Sequence, residues 1–92
     1  MPVSIIMPFF KKRDFIELSL NSVLSQTYQN FEIIIIYDDE NQDDYEFIKN
    51  FEKKDRRIKI IKNVKNLGAG LSRNIGIANS KFELIAFLDC DD

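Results

Sequence analysis

Histidine is absent from this sequence of 92 residues. That closes Ser-His-Asp and Cys-His catalysis and His-based metal sites, and it leaves acid–base and metal work to carboxylates. A single cysteine, Cys90, excludes an internal disulfide framework and suits a reducing compartment. No apolar run approaches the ~20 residues that span a bilayer. Met1-Pro2-Val3 does not read as the start of a signal peptide. An excess of one charge is also missing: 13 Lys and Arg face 15 Asp and Glu, so no global field draws nucleic acid. Glycine occurs three times, always within residues 66–76.

What is present is the composition of one soluble globular domain, 45% hydrophobic and 30% charged. A chain of this size buries about 60–65% of its unfolded surface. VSIIM (3–7) is a short β-branched run ended by Pro8 and reads as a buried strand. Asp14 with Glu17 makes a capping-box pattern, and Ile16, Leu20, Val23 and Leu24 recur behind it at helical spacing. FEIIIIY (31–37) is the continuous apolar run of a strand buried on both faces. Asp43 and Glu46 open a second helix carrying Phe47, Ile48 and Phe51. IKII (58–61) predicts a third strand, Leu71, Ile75 and Ala78 a third helix, and ELIAFL (83–88) a fourth strand. The order β-α-β-α-β-α-β predicts an α/β, Rossmann-like parallel sheet with helices on both faces. Ligands bind such sheets beyond the carboxyl ends of the strands. Those ends are Pro8 to Phe10, Asp38-Asp39, Asn63 onward, and Asp89 to Asp92.

The candidates at these ends each carry two readings. Asp89 and Asp91, spaced i, i+2, either hold a hard cation such as Mg²⁺ or Mn²⁺ or form an acidic loop end. Cys90 between them faces the opposite way. Asp38 and Asp39 suit a base N–H or a metal, and equally a turn rich in cap formers. Gly68 and Gly70 suit either a loop approaching a phosphate or a helix-entry turn. Arg73 reaches a phosphate or base carbonyl, or is an exposed arginine. At Phe9 and Phe10 an aromatic suits stacking on a base, and equally one of the pair suits the core. The seven basic residues of Lys53 to Lys65 read as a solvated face, with peripheral membrane contact as the sharper alternative.

Taken together, VSIIMPFF, SVLSQTYQNFEIIIIYDD, NLGAGLSRNIGIA and ELIAFLDCDD resemble the N-terminal, nucleotide-binding half of a family 2 glycosyltransferase of the GT-A fold. The resemblance runs from Val3 to Asp92. It implies sugar transfer from a nucleotide-diphosphate sugar, a UDP-sugar, to an acceptor hydroxyl, by a single inverting displacement. It implies that Pro8 and Phe10 line the uracil and ribose pocket, with Phe10 stacking on the base. Asp38 would accept the uracil N3–H, and Arg73 would support the base or diphosphate. Asp89 would lie near the ribose, and Asp91, with Asp89, would bind Mn²⁺ or Mg²⁺. It further implies a carbohydrate acceptor, cell-surface polysaccharide synthesis, and a cytoplasmic place at or near the inner membrane face. Residues 1–92 then read as one truncated donor-binding subdomain, inactive alone, whose open sheet edge favours self-association.

Three positions depart from that pattern. Lys11 stands where the family has asparagine, and Phe82 stands where it commonly has glycine. Tyr37-Asp38-Asp39-Glu40 replaces Asp-Asp-Gly-Ser, so a slip of one residue would put Asp39 on the base. The rival reading is a receiver-like phosphoacceptor domain with an Mg²⁺-binding acidic pocket, which leaves residues 1–28 and NLGAGLSRN without a role. A noncatalytic α/β interaction module is the plainer alternative.

Overall fold

The computed structural model describes residues 1–90. Seven elements alternate along it: β1 (Val3–Phe9), α1 (Arg13–Leu24), β2 (Phe31–Tyr37), α2 (Gln42–Lys54), β3 (Ile58–Lys62), α3 (Ala69–Ala78) and β4 (Leu84–Phe87). All pairings are parallel, in the order β3-β2-β1-β4. The chain steps outward from β1 through β2 to β3, then crosses back to lay β4 on the other side of β1. The strand order therefore reverses between β1 and β4, and a crevice opens at their carboxyl ends.

Strand β2 shows why the layers form. All seven of its residues are buried. Phe31, Ile33, Ile35 and Tyr37 join Ile16, Leu20 and Val23 of α1 and Ile48 and Phe51 of α2 in the larger core. Ile34 and Ile36 join Ile6 in a smaller core that receives Ile75 from α3. Two helices thus cover one face and one covers the other, as the alternation predicts. Each fully buried isoleucine contributes about 2 kcal/mol, so a one-residue slip of β2 would exchange both cores at once.

Four local readings change. Strand β1 runs through Pro8 to Phe9 rather than ending at Met7. The Phe9 carbonyl faces β2, where it accepts from Asp38 N–H, and the Ile6 carbonyl faces β4, where it accepts from Leu88 N–H. Alternation puts the missing N–H of Pro8 on the β4 side, just past the last β1–β4 pair, where its loss is least costly. Helix α1 has no capping box; its N-cap is Lys12, with no side-chain cap. Lys11, at φ 54, instead gives its N–H to Asp39 Oδ2 at 3.0 Å and turns the chain into the helix two residues ahead of the Asp14 cap. The N-cap of α2 is Asn41, whose Oδ1 accepts from Asp44 N–H at 3.0 Å, ahead of Asp43. Strand β4 is shorter than ELIAFL and is not buried: Leu84 and Phe87 are 43% and 50% exposed. It forms one edge of the sheet among the described residues, with Ile85 packed against the smaller core. No described helix is long and apolar enough to cross a membrane.

Candidate functional site

A cavity of about 300 Å³ opens at the carboxyl ends of β1, β2 and β4. Pro8, Phe9, Phe10, Lys12, Asp38, Ala69, Asp89 and Cys90 line it. Four of the expected site residues, Pro8, Phe10, Asp38 and Asp89, therefore meet in one place. Arg73, one turn into α3, reaches Asp89 Oδ1 at 3.5 Å and borders the group. Asp91 lies outside the described residues.

The two phenylalanines divide their roles. Phe9 is fully buried and stacks on Tyr37 with ring centroids 5.2 Å apart. Phe10 is 44% exposed, with the Lys11 ammonium 5.2 Å from its ring centroid. Strand alternation turns one ring inward and leaves the next with a free face at the cavity rim.

Asp38 is 2% exposed and is held by the loop between β3 and α3. Its Oδ1 accepts from Asn63 Nδ2 at 2.9 Å and Leu67 N–H at 2.6 Å. Its Oδ2 accepts from Asn66 Nδ2 at 3.0 Å and Gly68 N–H at 2.8 Å. Asn66 Nδ2 also reaches the Asp38 carbonyl at 2.8 Å. Four donors fill the acceptor capacity of the carboxylate. The negative charge sits at the first turn of α3, so the partial positive charge there is met by Asp38. Gly68 is the N-cap of that helix at φ 91, a conformation that a side chain would strain. The glycine loop is thus a helix entry organised around Asp38. Asp39 does not line the cavity: its Oδ2 takes Lys11 N–H, and its Oδ1 takes Glu40 N–H at 2.7 Å and Asn41 N–H at 3.3 Å.

Burial, with the Asp39 and Asp44 carboxylates adding to it, pushes the Tyr37 phenol up to about 12. Its hydroxyl donates to the Asn41 carbonyl, so Tyr37 acts as a neutral strut under the site.

Asp89 is the described carboxylate that opens to solvent here, with its side chain 56% exposed. No group of three or more His, Cys, Asp or Glu side chains forms a metal cage among the described residues. Among the described residues Asp89 alone offers solvent-open carboxylate oxygens here, a donor type that a hard cation takes together with phosphate and water. Cys90 points the other way, into the larger core, and its Sγ donates to the Pro8 carbonyl at 3.2 Å.

The basic run lies elsewhere. Arg56, Arg57 and Lys59 line a cleft of about 540 Å³ with Lys81, at the amino ends of β2 and β3. Arg57 is already paired with Asp55 at 2.9 Å and bonded to Gln29. Glu32 in that cleft takes Ser4 Oγ at 2.6 Å and Lys81 N–H at 2.7 Å.

Sequence reasoning missed Asn66 and Ser72 as partners in the Asp38 network, and Ser19, whose hydroxyl donates to the Cys90 carbonyl. The N-x-G stretch was a usable signal for Asn66. Nothing local marks Ser19.

A model of the family described as Glycosyl transferase family 2 matches residues 4–92. Over 90 residues the chain is 46% identical to an "Uncharacterized glycosyltransferase" of Rickettsia bellii, covering 98% of this chain and 13% of that protein. It is 42% identical to the Escherichia coli UDP-Glc:alpha-D-GlcNAc-diphosphoundecaprenol beta-1,3-glucosyltransferase WfgD, covering 98% of this chain and 35% of WfgD. The chain thus spans about a third or less of the length of these relatives. The fold superposes on S. aureus TarS 1–349 with a TM-score of 0.87 and 25% identity, covering 100% of this chain and 28% of that one. TarS has also been solved with UDP and with UDP-GlcNAc. The fold of the mannosyltransferase PcManGT from Pyrobaculum calidifontis, solved with GDP-Man and Mn²⁺, matches at a TM-score of 0.87 and 15% identity, covering 97% of this chain and 27% of that one.

Proposed function

The chain belongs to glycosyl transferase family 2 and has the GT-A fold, and from that premise we propose that its cavity receives the nucleotide of a UDP-sugar. The protein carrying it would transfer the sugar to an acceptor hydroxyl, with inversion, in the building of a cell-surface polysaccharide. The observation that carries this reading is the convergence of Pro8, Phe10, Asp38 and Asp89 on one cavity at the strand-order switch.

Each residue then has a part. Phe10 offers its free face to the uracil, and Pro8 forms the adjoining wall. Asp38 stands at the cavity edge to accept N3–H, which requires one of its four loop donors to yield. That Asp38 lines the cavity and Asp39 does not supports the first as the base-reading carboxylate. Arg73 faces the base or diphosphate. Asp89 lies by the ribose and, with Asp91, holds Mn²⁺ or Mg²⁺. A bound divalent cation supplies Lewis-acid stabilisation of the departing nucleoside diphosphate. Residues 1–92 supply the donor side, and the carbohydrate acceptor and catalytic base belong to other parts of such an enzyme. The name of WfgD favours a lipid-diphosphate-linked acceptor, and so a cytoplasmic site at the inner membrane face. The phosphoacceptor reading fares worse, because the family match runs over residues 4–92 and that reading gives Pro8 and Phe10 in the cavity wall no part.

Calorimetric titration with UDP, GDP and CDP, each with and without Mn²⁺, tests the proposal. UDP should bind most tightly, and Mn²⁺ should strengthen it. Phe10→Ala should weaken UDP by roughly 1–3 kcal/mol, the scale of a base–aromatic stack. Equal indifference to all three nucleotides would sink the reading.

A further inference from the structure

The segment carrying Asp89 has already left the sheet. The last rung is Leu88 N–H to the Ile6 carbonyl at 3.0 Å, and Asp89 and Cys90 lie beyond it. Pro8, with no N–H, cannot add the next rung. Two other contacts hold this stretch. The Cys90 carbonyl accepts the Ser19 hydroxyl from α1, and the Cys90 Sγ donates to the Pro8 carbonyl of β1. Ser19 and Cys90 are 5% and 1% exposed. A serine inside a helix commonly turns its hydroxyl back on its own helix. Ser19 gives it instead to a carbonyl 71 positions away.

We propose that Ser19 and Cys90 are positioning residues that set the direction of Asp89 where the chain leaves β4. The Ser19 hydroxyl satisfies a buried carbonyl beyond the end of the ladder, and the Cys90 side chain hooks the same residue to β1. With Cys90 fastened inward, its neighbour Asp89 is directed outward to the cavity and Arg73. Helix α1, which contributes no side chain to the cavity lining, thereby orients the carboxylate end of the site. The functional consequence rests on the donor reading above; the tether itself does not.

Because Cys90 is the chain's one cysteine, its reaction with an aromatic disulfide reagent reads the tether directly. In the full chain, Ser19→Ala should speed Cys90 labelling roughly tenfold, the scale of one buried hydrogen bond. Ser19→Thr, which keeps the hydroxyl, should label at the parent rate, as should Ser22→Ala on the exposed side of α1. In parallel titrations, Ser19→Ala should lose about tenfold of the Mn²⁺-dependent gain in UDP affinity while Mn²⁺-free binding stays unchanged. Labelling of Ser19→Ala at the parent rate would overturn the tether. Faster labelling with affinity lost equally with and without Mn²⁺ would reduce Ser19 to a general packing residue and overturn the positioning role. A parent protein whose UDP affinity ignores Mn²⁺ would refute the donor-metal reading, leaving the labelling series to decide the tether alone.

Discussion

Changing the Asp38 carboxylate to an amide sets a donor against donors. Each oxygen faces one side-chain and one backbone N–H, so either orientation of Asp38→Asn leaves two groups unanswered. A loss of about 3 kcal/mol is expected, larger than one ordinary hydrogen bond because the site is buried. Chemical denaturation should show it, and hydrogen exchange at Leu67 and Gly68 should accelerate. UDP affinity should fall together with stability; a weakened ligand with unchanged exchange would mean that the loop does not depend on Asp38. Tyr37 makes a pH prediction. Its phenol is raised from an ordinary 10.0 to about 12, so the folded state holds the proton more tightly. That contribution is complete below pH 10 and disappears between pH 10 and 12, about 2–3 kcal/mol in all. Tyr37→Phe should flatten that alkaline limb in thermal melts. Some of this was readable in advance: in a parallel sheet the strand ends point one way, so Pro8, Phe10, Asp38 and Asp89 had to gather. The donors to Asp38 were not, because they stand 25–30 positions away and only the docking of α3 brings them in.

Among the elements, α3 sits closest to its limits. A Cβ on Gly76 would stand 2.5 Å from Ile6 Cγ2, in a strand whose side chain is fully buried. Alanine gains about 1 kcal/mol of helix propensity over glycine, but overpacking of this kind costs about 1–3 kcal/mol. The clash should win, so Gly76→Ala lowers the melting temperature. Adding Ile6→Ala makes room, and the double variant should be less destabilised than the two singles summed. Additive losses would show that α3 and β1 do not touch there. Element types were legible because β2 is apolar without a break and the helices repeat at 3.6 residues. Element starts were not. Asp14 looked like a cap, yet Asp39, 25 positions after it, sets the start of α1 by taking Lys11 N–H.

For the molecule as a whole, apolar groups stand exposed on α1 (Phe15, Leu18) and on α3 and β4, where Leu71, Ile77, Leu84 and Phe87 are each more than 40% exposed. A strand edge with such neighbours invites a second chain. The 92-residue chain is therefore expected to dimerise or go further in sedimentation equilibrium, and Phe87→Lys to return it toward monomer. A parent that stays monomeric at high concentration contradicts this. Helices on both faces were legible from the β-α alternation; the exposure of β4 was not, since ELIAFL has the composition of an interior strand and its neighbours alone decide whether it is one. The same strand has a consequence for the order of events. Leu84 pairs with Val3, so this contact closes a loop of nearly the entire chain, and the closure entropy must be met before the pairing returns anything. During synthesis, at about 5–20 residues per second, β1 and β2 can meet seconds before β4 exists. Asp89 follows β4, the strand whose pairing closes that loop, so the cavity it lines is complete only once β4 has docked.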